Sequence, residues 1–188
     1  MEAIELLQTN LSKFSTDNYK AGPKWKIIFW YTVNHIFFNT MIPWPYQMKT
    51  TILRWFGAKI GKGLIIKTYV RIKNPWFLTI GNHCWIGESV WIDNLDQVEI
   101  GNNVCLSQGS MLLTGNHDYS SVSFPYRLGK IDLKDGVWIG AKSVVCPGIT
   151  CLSHAILTVN SVATKNLDAW SIYTGNPASF IRRRKMKS

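Results

Sequence analysis

Residues 80–91 read IGNHCWIGESVW. The stretch splits into IGNHCW and IGESVW, and each half opens with Ile-Gly and closes with Trp. A six-residue rhythm is neither the period of an amphipathic helix nor the alternation of a half-buried strand. It continues in both directions. Aliphatic residues fall at Ile60, Ile66 and Ile72, and after a slip at Ile80, Ile86 and Ile92. A second slip leads to Ile100, Leu106 and Leu112. After a long break the rhythm returns at Leu133, Ile139, Val145, Cys151, Leu157 and Ala163. Four residues after many of these stands a small or branched residue: Cys84, Val90, Val104, Ser110, Ser143, Ile149, Ala155 and Ser161. The pattern predicts a β-solenoid in which each hexapeptide makes one short strand and one turn. The aliphatic residue and the slim residue after it point into a narrow interior, and stacked coils bury one another. Glycine often follows the aliphatic position, as at Gly61, Gly81, Gly87, Gly101 and Gly140, and is expected to ease the turn.

The repeat divides the chain. Residues 1–58 lack it and are rich in aromatics, among them Trp25, Phe29, Trp30, Trp44 and Trp55. One helix is expected from about Lys24 to Asn39 and a second from after Pro45 to Gly57. This region reads as a helical cap on the solenoid. Its Trp, Tyr and Lys content also suits a lipid interface, so residues 25–56 are a second candidate for peripheral membrane contact. Residues 59–163 hold the β-helix, with an insertion at 113–132. Residues 164–188 form an exit segment and a tail, in which Asn176 and Pro177 would start a short C-terminal helix.

Composition narrows the classes. The 188 residues are 46 % apolar, which excludes a disordered chain. Cys84, Cys105, Cys146 and Cys151 form no C-x-x-C pair and read as reduced thiols of a cytoplasmic protein. No signal peptide is evident, and the apolar run Ile27–Phe38 is shorter than the about 20 residues a bilayer needs. The net charge of +10 admits nucleic acid, phospholipid or an anionic small molecule as its reason. Five of the 21 basic residues lie at the end of the chain: Arg182, Arg183, Arg184, Lys185 and Lys187. They read equally as a solvated tail or as a phosphate contact.

The break between Leu112 and Leu133 leaves the solenoid as a polar loop containing LTGNHDYSSVSFPYRLGKID. His117 stands in it between Asn116 and Asp118. An imidazole titrates at about 6.5 and can take a proton from an attacking hydroxyl, or it can simply cap a turn. Asn116 and Asp118 could orient it or stabilise the turn.

Here the chain resembles a known family. The repeats, the loop TGNHD, then DGVWIGAKSVVCPGITC, then SVATKNLDAWSIYTGNPA are together similar to the hexapeptide-repeat acyltransferases. Within them the chain resembles the acetyltransferases of colanic acid biosynthesis and the galactoside and maltose O-acetyltransferases, over residues 52–184. The resemblance implies an all-β fold, a single-stranded left-handed parallel β-helix. It further implies a homotrimer with active sites at subunit interfaces, acetyl-CoA as donor and a sugar or glycan precursor as acceptor. His117 corresponds to the catalytic general base. Trp138, Gly140, Ala141 and Val159 correspond to positions along the pantetheine arm. Thr164, Lys165 and Arg182 correspond to positions near the CoA phosphates. Asp93 and Asn94 stand where relatives contact the acceptor, although Asp-Asn is also a turn former in its own right. The chain departs from the family pattern at Asn160, a bulkier residue than the Ala or Gly usual there. His83 and His154 read as exposed positions of ordinary coils.

Two other readings compete. A metal enzyme of the γ-carbonic-anhydrase kind needs three converging imidazoles, and the chain has four His in all. A non-catalytic scaffold leaves the inserted loop without a role. No metal and no nucleic acid are expected as partners.

Overall fold

The computed structural model describes residues 7–17 and 19–187. Three sheets, parallel except at the final strand of the second, form the faces of a triangular prism. The first holds β1 (Lys59–Ile60), β4 (Leu78–Ile80), β7 (Val98–Ile100), β12 (Ile131–Leu133) and β15 (Thr150–Cys151). The second holds β2 (Ile65–Ile66), β5 (Trp85–Ile86), β8 (Cys105–Leu106), β13 (Trp138–Ile139), β16 (Ile156–Leu157), β18 (Ser171–Gly175) and β19 (Ala178–Arg183). The third holds β3 (Arg71–Ile72), β6 (Trp91–Asp93), β9 (Met111–Leu113), β14 (Val144–Val145) and β17 (Val162–Ala163). A separate hairpin, β10 (Gly115–His117) with β11 (Tyr126–Leu128), fills the insertion. The chain is a left-handed parallel β-helix.

The register follows the hexapeptides. Ile60 pairs with Ile80 and Ile80 with Ile100, while Ile86 pairs with Leu106 and Ile92 with Leu112. These side chains fill the interior with the slim residues Cys84, Val90, Val104 and Ala155, all buried. Each fully buried Ile or Leu stabilises the fold by roughly 2 kcal/mol. Cys84 and Cys151 are therefore core residues, and burial pushes the Cys151 thiol up to about 12.

The glycines after the aliphatic residues serve a different purpose from the one expected. The left-handed residue of each turn lies two positions further on. Tyr69, His83, Ser89, Asn103, Lys142, His154 and Asn160 hold φ between 55° and 62° there. Gly81 instead lies against the next coil, where a Cβ would come within 2.7 Å of the Gly101 carbonyl carbon. Asn160 thus occupies a turn position that a short amide side chain tolerates well.

All irregular excursions stack on one edge. The slips after Ile72 and Ile92 and the insertion after Leu112 leave the third sheet and return to the first. Asn94, fully buried, donates its amide to the Asn74 carbonyl at 2.6 Å and accepts from the Asn74 N–H at 3.0 Å. Thr114, also fully buried, donates to the Asp93 carbonyl at 3.0 Å. The edge that projects the inserted hairpin is therefore tied down by its own polar groups.

Helices α1 (Lys24–Phe37) and α2 (Tyr46–Trp55) close the open end of the solenoid. The first coil has no coil beneath it, so its outward carbonyls need other donors. Arg54 Nη2 donates to the Ile60 carbonyl at 2.8 Å, Lys49 Nζ to Ile66 at 3.2 Å and Lys67 at 2.8 Å, and Trp30 Nε1 to Ile72 at 2.8 Å. Each sheet thus receives one side-chain cap from the helical pair. Lys49 is fully buried, and burial lowers its pKa to about 8.

The C-terminal helix expected at Asn176 and Pro177 is absent. Residues 178–183 form β19, antiparallel to β18. The parallel stacking runs on past Ala163 to β18, whose outer edge would otherwise be unpaired, and the returning tail covers it.

Candidate active site

His117 ends strand β10 of the inserted hairpin and faces Tyr126 across it. Its Nδ1 lies 2.8 Å from the Phe124 carbonyl oxygen. A carbonyl only accepts, so this bond makes Nδ1 the protonated nitrogen and leaves the lone pair of the neutral ring on Nε2. Phe124 stacks on the imidazole with centroids 4.4 Å apart and planes 10° apart. Tyr126 lies at 4.9 Å and Phe14 at 5.7 Å. Phe14 belongs to the N-terminal segment, which straps the hairpin: Asn10 N–H donates to the Val122 carbonyl at 2.8 Å.

The neighbours of His117 in sequence do not hold its ring. Asn116 accepts from the His117 backbone N–H at 2.8 Å. Asp118 accepts from the hydroxyl and backbone N–H of Ser120, and these bonds lower its pKa. Both are turn-formers, and ring orientation falls to the Phe124 carbonyl and three aromatic side chains.

Asp93 and Asn94 part company. Asn94 is buried with its amide committed to Asn74, so it faces no acceptor, which corrects the expectation for this residue. Asp93 pairs with Lys73 at 3.0 Å and lines a cavity of about 350 Å³ between α1 and the third sheet. Tyr31, Asn34, His35, Arg71 and Trp91 line it too, with the Arg71 guanidinium 4.7 Å from the Trp91 ring. Tyr19 connects this region to His117. Its hydroxyl accepts from the Asn74 amide at 2.8 Å and its ring lies 5.5 Å from Tyr126. Burial raises its pKa to about 12, and the Asp93 charge adds to the rise.

The residues expected to bind CoA lie elsewhere in the chain. Trp138 is 44 % exposed on the outer face of β13 and donates to Ser107 Oγ at 2.8 Å. Gly140 and Ala141 turn the corner behind it, and Val159 turns the same corner one coil on, where Asn160 N–H donates to the Ala141 carbonyl at 2.8 Å. A Cβ on Gly140 would meet the Thr158 carbonyl carbon at 2.6 Å, so the two coils touch there. Thr164 and Lys165 are exposed after β17, and Arg182 is exposed on β19. Among the described residues no hydrogen bond or ring contact joins His117 to any of these. His83 is exposed as expected, whereas His154 is half-buried and stacks on Trp170 at 4.0 Å.

Phe14, Tyr19, Phe124, Tyr126 and the cavity are not among the residues the sequence points to. Phe124 and Tyr126 had a signal, being aromatics inside an otherwise polar insertion. Arg71 and Trp91 had one too, since each precedes an aliphatic position in successive coils and so must stack. Among the described residues no group of three His, Cys, Asp or Glu is placed to hold a metal ion.

No protein-family model matches the chain. Solved structures share its fold. A maltose O-acetyltransferase from Clostridium difficile superposes with a TM-score of 0.75 at 21 % identity, covering 89 % of this chain and 92 % of that one. A hexapeptide-repeat acetyltransferase from Vibrio cholerae, solved with acetyl-coenzyme A, has a TM-score of 0.71 at 19 % identity, covering 78 % and 81 %. In sequence, the chain is 34 % identical over 176 residues to the Escherichia coli K12 protein named as the colanic acid biosynthesis acetyltransferase WcaF, covering 93 % of this chain and 97 % of that one. On that likeness and this fold, the chain belongs to the hexapeptide-repeat acetyltransferases, in the company of WcaF.

Proposed function

We propose that the protein moves an acetyl group from acetyl-CoA to a hydroxyl of a sugar or glycan precursor, with His117 as the general base. The observation that carries this reading is the 2.8 Å bond between His117 Nδ1 and the Phe124 carbonyl, which presents Nε2 as an acceptor. The acceptor hydroxyl donates its proton to Nε2 as its oxygen attacks the thioester carbonyl. The imidazolium that forms keeps its Nδ1–H bond to Phe124, and a charged donor strengthens that bond. The tetrahedral intermediate then collapses, the C–S bond breaks, and the CoA sulfur takes the proton from Nε2. Balance is complete with acetylated acceptor, CoA thiol and neutral His117.

The donor reading is supported by Trp138, Gly140, Ala141 and Val159 on one corner, with Thr164, Lys165 and Arg182 supplying hydroxyl and positive charge for phosphates. His117 sits apart from this group within one chain, so we place the complete site between neighbouring copies in a homotrimer. The acceptor site is the cavity bearing Asp93, whose Trp and Tyr faces with charged and amide groups suit a hydroxylated ring. The protein is assigned to the cytoplasm, where acetyl-CoA is available.

Calorimetry with acetyl-CoA, followed by release of CoA thiol across a panel of free, nucleotide-linked and lipid-linked sugars, tests the reading. Saturable binding with acceptor-dependent thiol release supports it. A folded protein that binds no acetyl-CoA overturns it.

A further inference from the structure

The whole positive excess of the chain lies in one stretch. Residues 19–87 contain ten Lys or Arg and no Asp or Glu, whereas the rest of the chain carries eleven of each sign. This stretch comprises the helical pair, the first coil and the first two strands of the second, and its basic residues end at Lys73 in the first coil's exit. Lys20, Lys24, Arg54, Lys59 and Lys62 are exposed in it.

The same region holds the two most exposed tryptophans among the described residues, Trp25 and Trp55. On α1 the residues Trp25, Ile28, Phe29, Thr32 and Ile36 recur at the spacing that places them on one helical face. Trp25 is 70 % exposed and Ile28 68 %. Trp30, Val33 and Phe37 occupy the opposite face and pack on the core. Trp55, 79 % exposed, ends α2 beside Phe56, whose ring lies 5.5 Å from Phe29. A helix apolar on both faces with one face uncovered calls for a second apolar surface. No helix among the described residues is long and apolar enough to cross a membrane, so α1 can lie on a bilayer and does not span one.

We propose that the outer face of α1, together with Trp55, docks the protein on an anionic lipid surface. Charge selects this occupant. A second copy would bring the same basic stretch against itself, and like charges repel. An anionic bilayer offers the complementary sign to the lysines and an interfacial layer for tryptophan. The aromatic and aliphatic side chains enter the headgroup boundary while the basic residues meet the phosphates. The proposal is independent of which residue acts as base and which sugar is acetylated.

The test is flotation of the full-length protein with vesicles of phosphatidylglycerol and phosphatidylethanolamine, against vesicles of phosphatidylcholine alone. The protein is expected to float with the anionic vesicles and to release as salt rises. The variant Trp25→Ser/Ile28→Ser/Trp55→Ser, altered only at exposed side chains, is expected to lose vesicle affinity by about tenfold or more with an unchanged melting curve. A second variant, Lys20→Gln/Lys24→Gln, is expected to weaken anionic binding and flatten its salt dependence. Wild-type protein that floats with neither vesicle overturns the proposal. So does a serine variant that floats as well as wild type. A serine variant that fails to float but has a smaller solution mass than wild type also overturns it, because the face is then covered by another copy.

Discussion

The His117 imidazole and the Phe124 carbonyl meet at 2.8 Å, seven residues apart in a hairpin whose turn holds Phe124 at φ +51°. That backbone conformation aims the carbonyl back at the ring, and the phenyl group stacks on it at 4.4 Å. One residue therefore fixes both the tautomer and the plane of the proposed base. Phe124→Gly keeps the left-handed turn accessible and removes the stacked ring. Transfer by this variant is expected to fall in kcat by about tenfold, with KM for acetyl-CoA unchanged, because orientation matters to the reacting state. An unaltered kcat means the ring plane is set without Phe124.

Asp93 and Asn94 are adjacent in sequence and are expected to behave oppositely. Asn94→Ala leaves the buried Asn74 N–H without a partner, at about 1–3 kcal/mol for the orphaned donor, while the Asn74 carbonyl keeps the Phe77 N–H at 3.0 Å. Chemical denaturation is expected to show that loss, while the folded variant keeps its acceptor KM. Asp93→Asn is expected to leave stability nearly unchanged and to raise acceptor KM. If both substitutions alter stability alone, Asp93 belongs to the scaffold.

Lys49 links the fold to pH. Its pKa is lowered to about 8 by burial, against an ordinary value of 10.5. Between these limits the unfolded chain holds a proton that the folded chain has released, so this residue's contribution to stability rises with pH from about 8 to about 10.5. Below that window its contribution is constant and unfavourable relative to an unperturbed lysine. Unfolding free energies of wild type and Lys49→Met, compared from pH 7 to pH 10, should diverge above pH 8 in favour of wild type. A constant difference across that range removes Lys49 from the pH response.

Lys165 is exposed beyond β17, where a flexible ammonium can reach a phosphate. Lys165→Ala is expected to weaken acetyl-CoA binding by about tenfold at low salt, and by less as salt screens the pair. Calorimetry at two ionic strengths checks this. A loss that ignores salt assigns Lys165 a packing role instead.

The coil was legible because its period states the burial of Ile66, Ile86 and Leu106 directly. The purpose of Gly81 was not, because repetition alone does not separate a glycine needed for its φ from one needed for contact with the next coil. The tail misread as a helix shows the limit of local signals. Asn-Pro suits a helix start, yet the unpaired edge of β18 recruits the same residues as a strand. His117 was visible through resemblance, but its true partner was not. Phe124 reaches it only because the insertion folds back as a hairpin, a pairing that no fixed spacing in the sequence announces. Asn94 was misplaced for a related reason. Its sequence says turn or ligand, and only the stacking of successive slips buries it against Asn74.

In the proposed reaction His117 removes the acceptor's proton. The direct test is single-turnover transfer by His117→Ala, with acetyl-CoA affinity measured on the same preparation. The rate is expected to fall by about a hundredfold or more with donor affinity unchanged, since a general base acts in the transition state. Transfer by His117→Ala at the wild-type rate would remove His117 from the proton transfer.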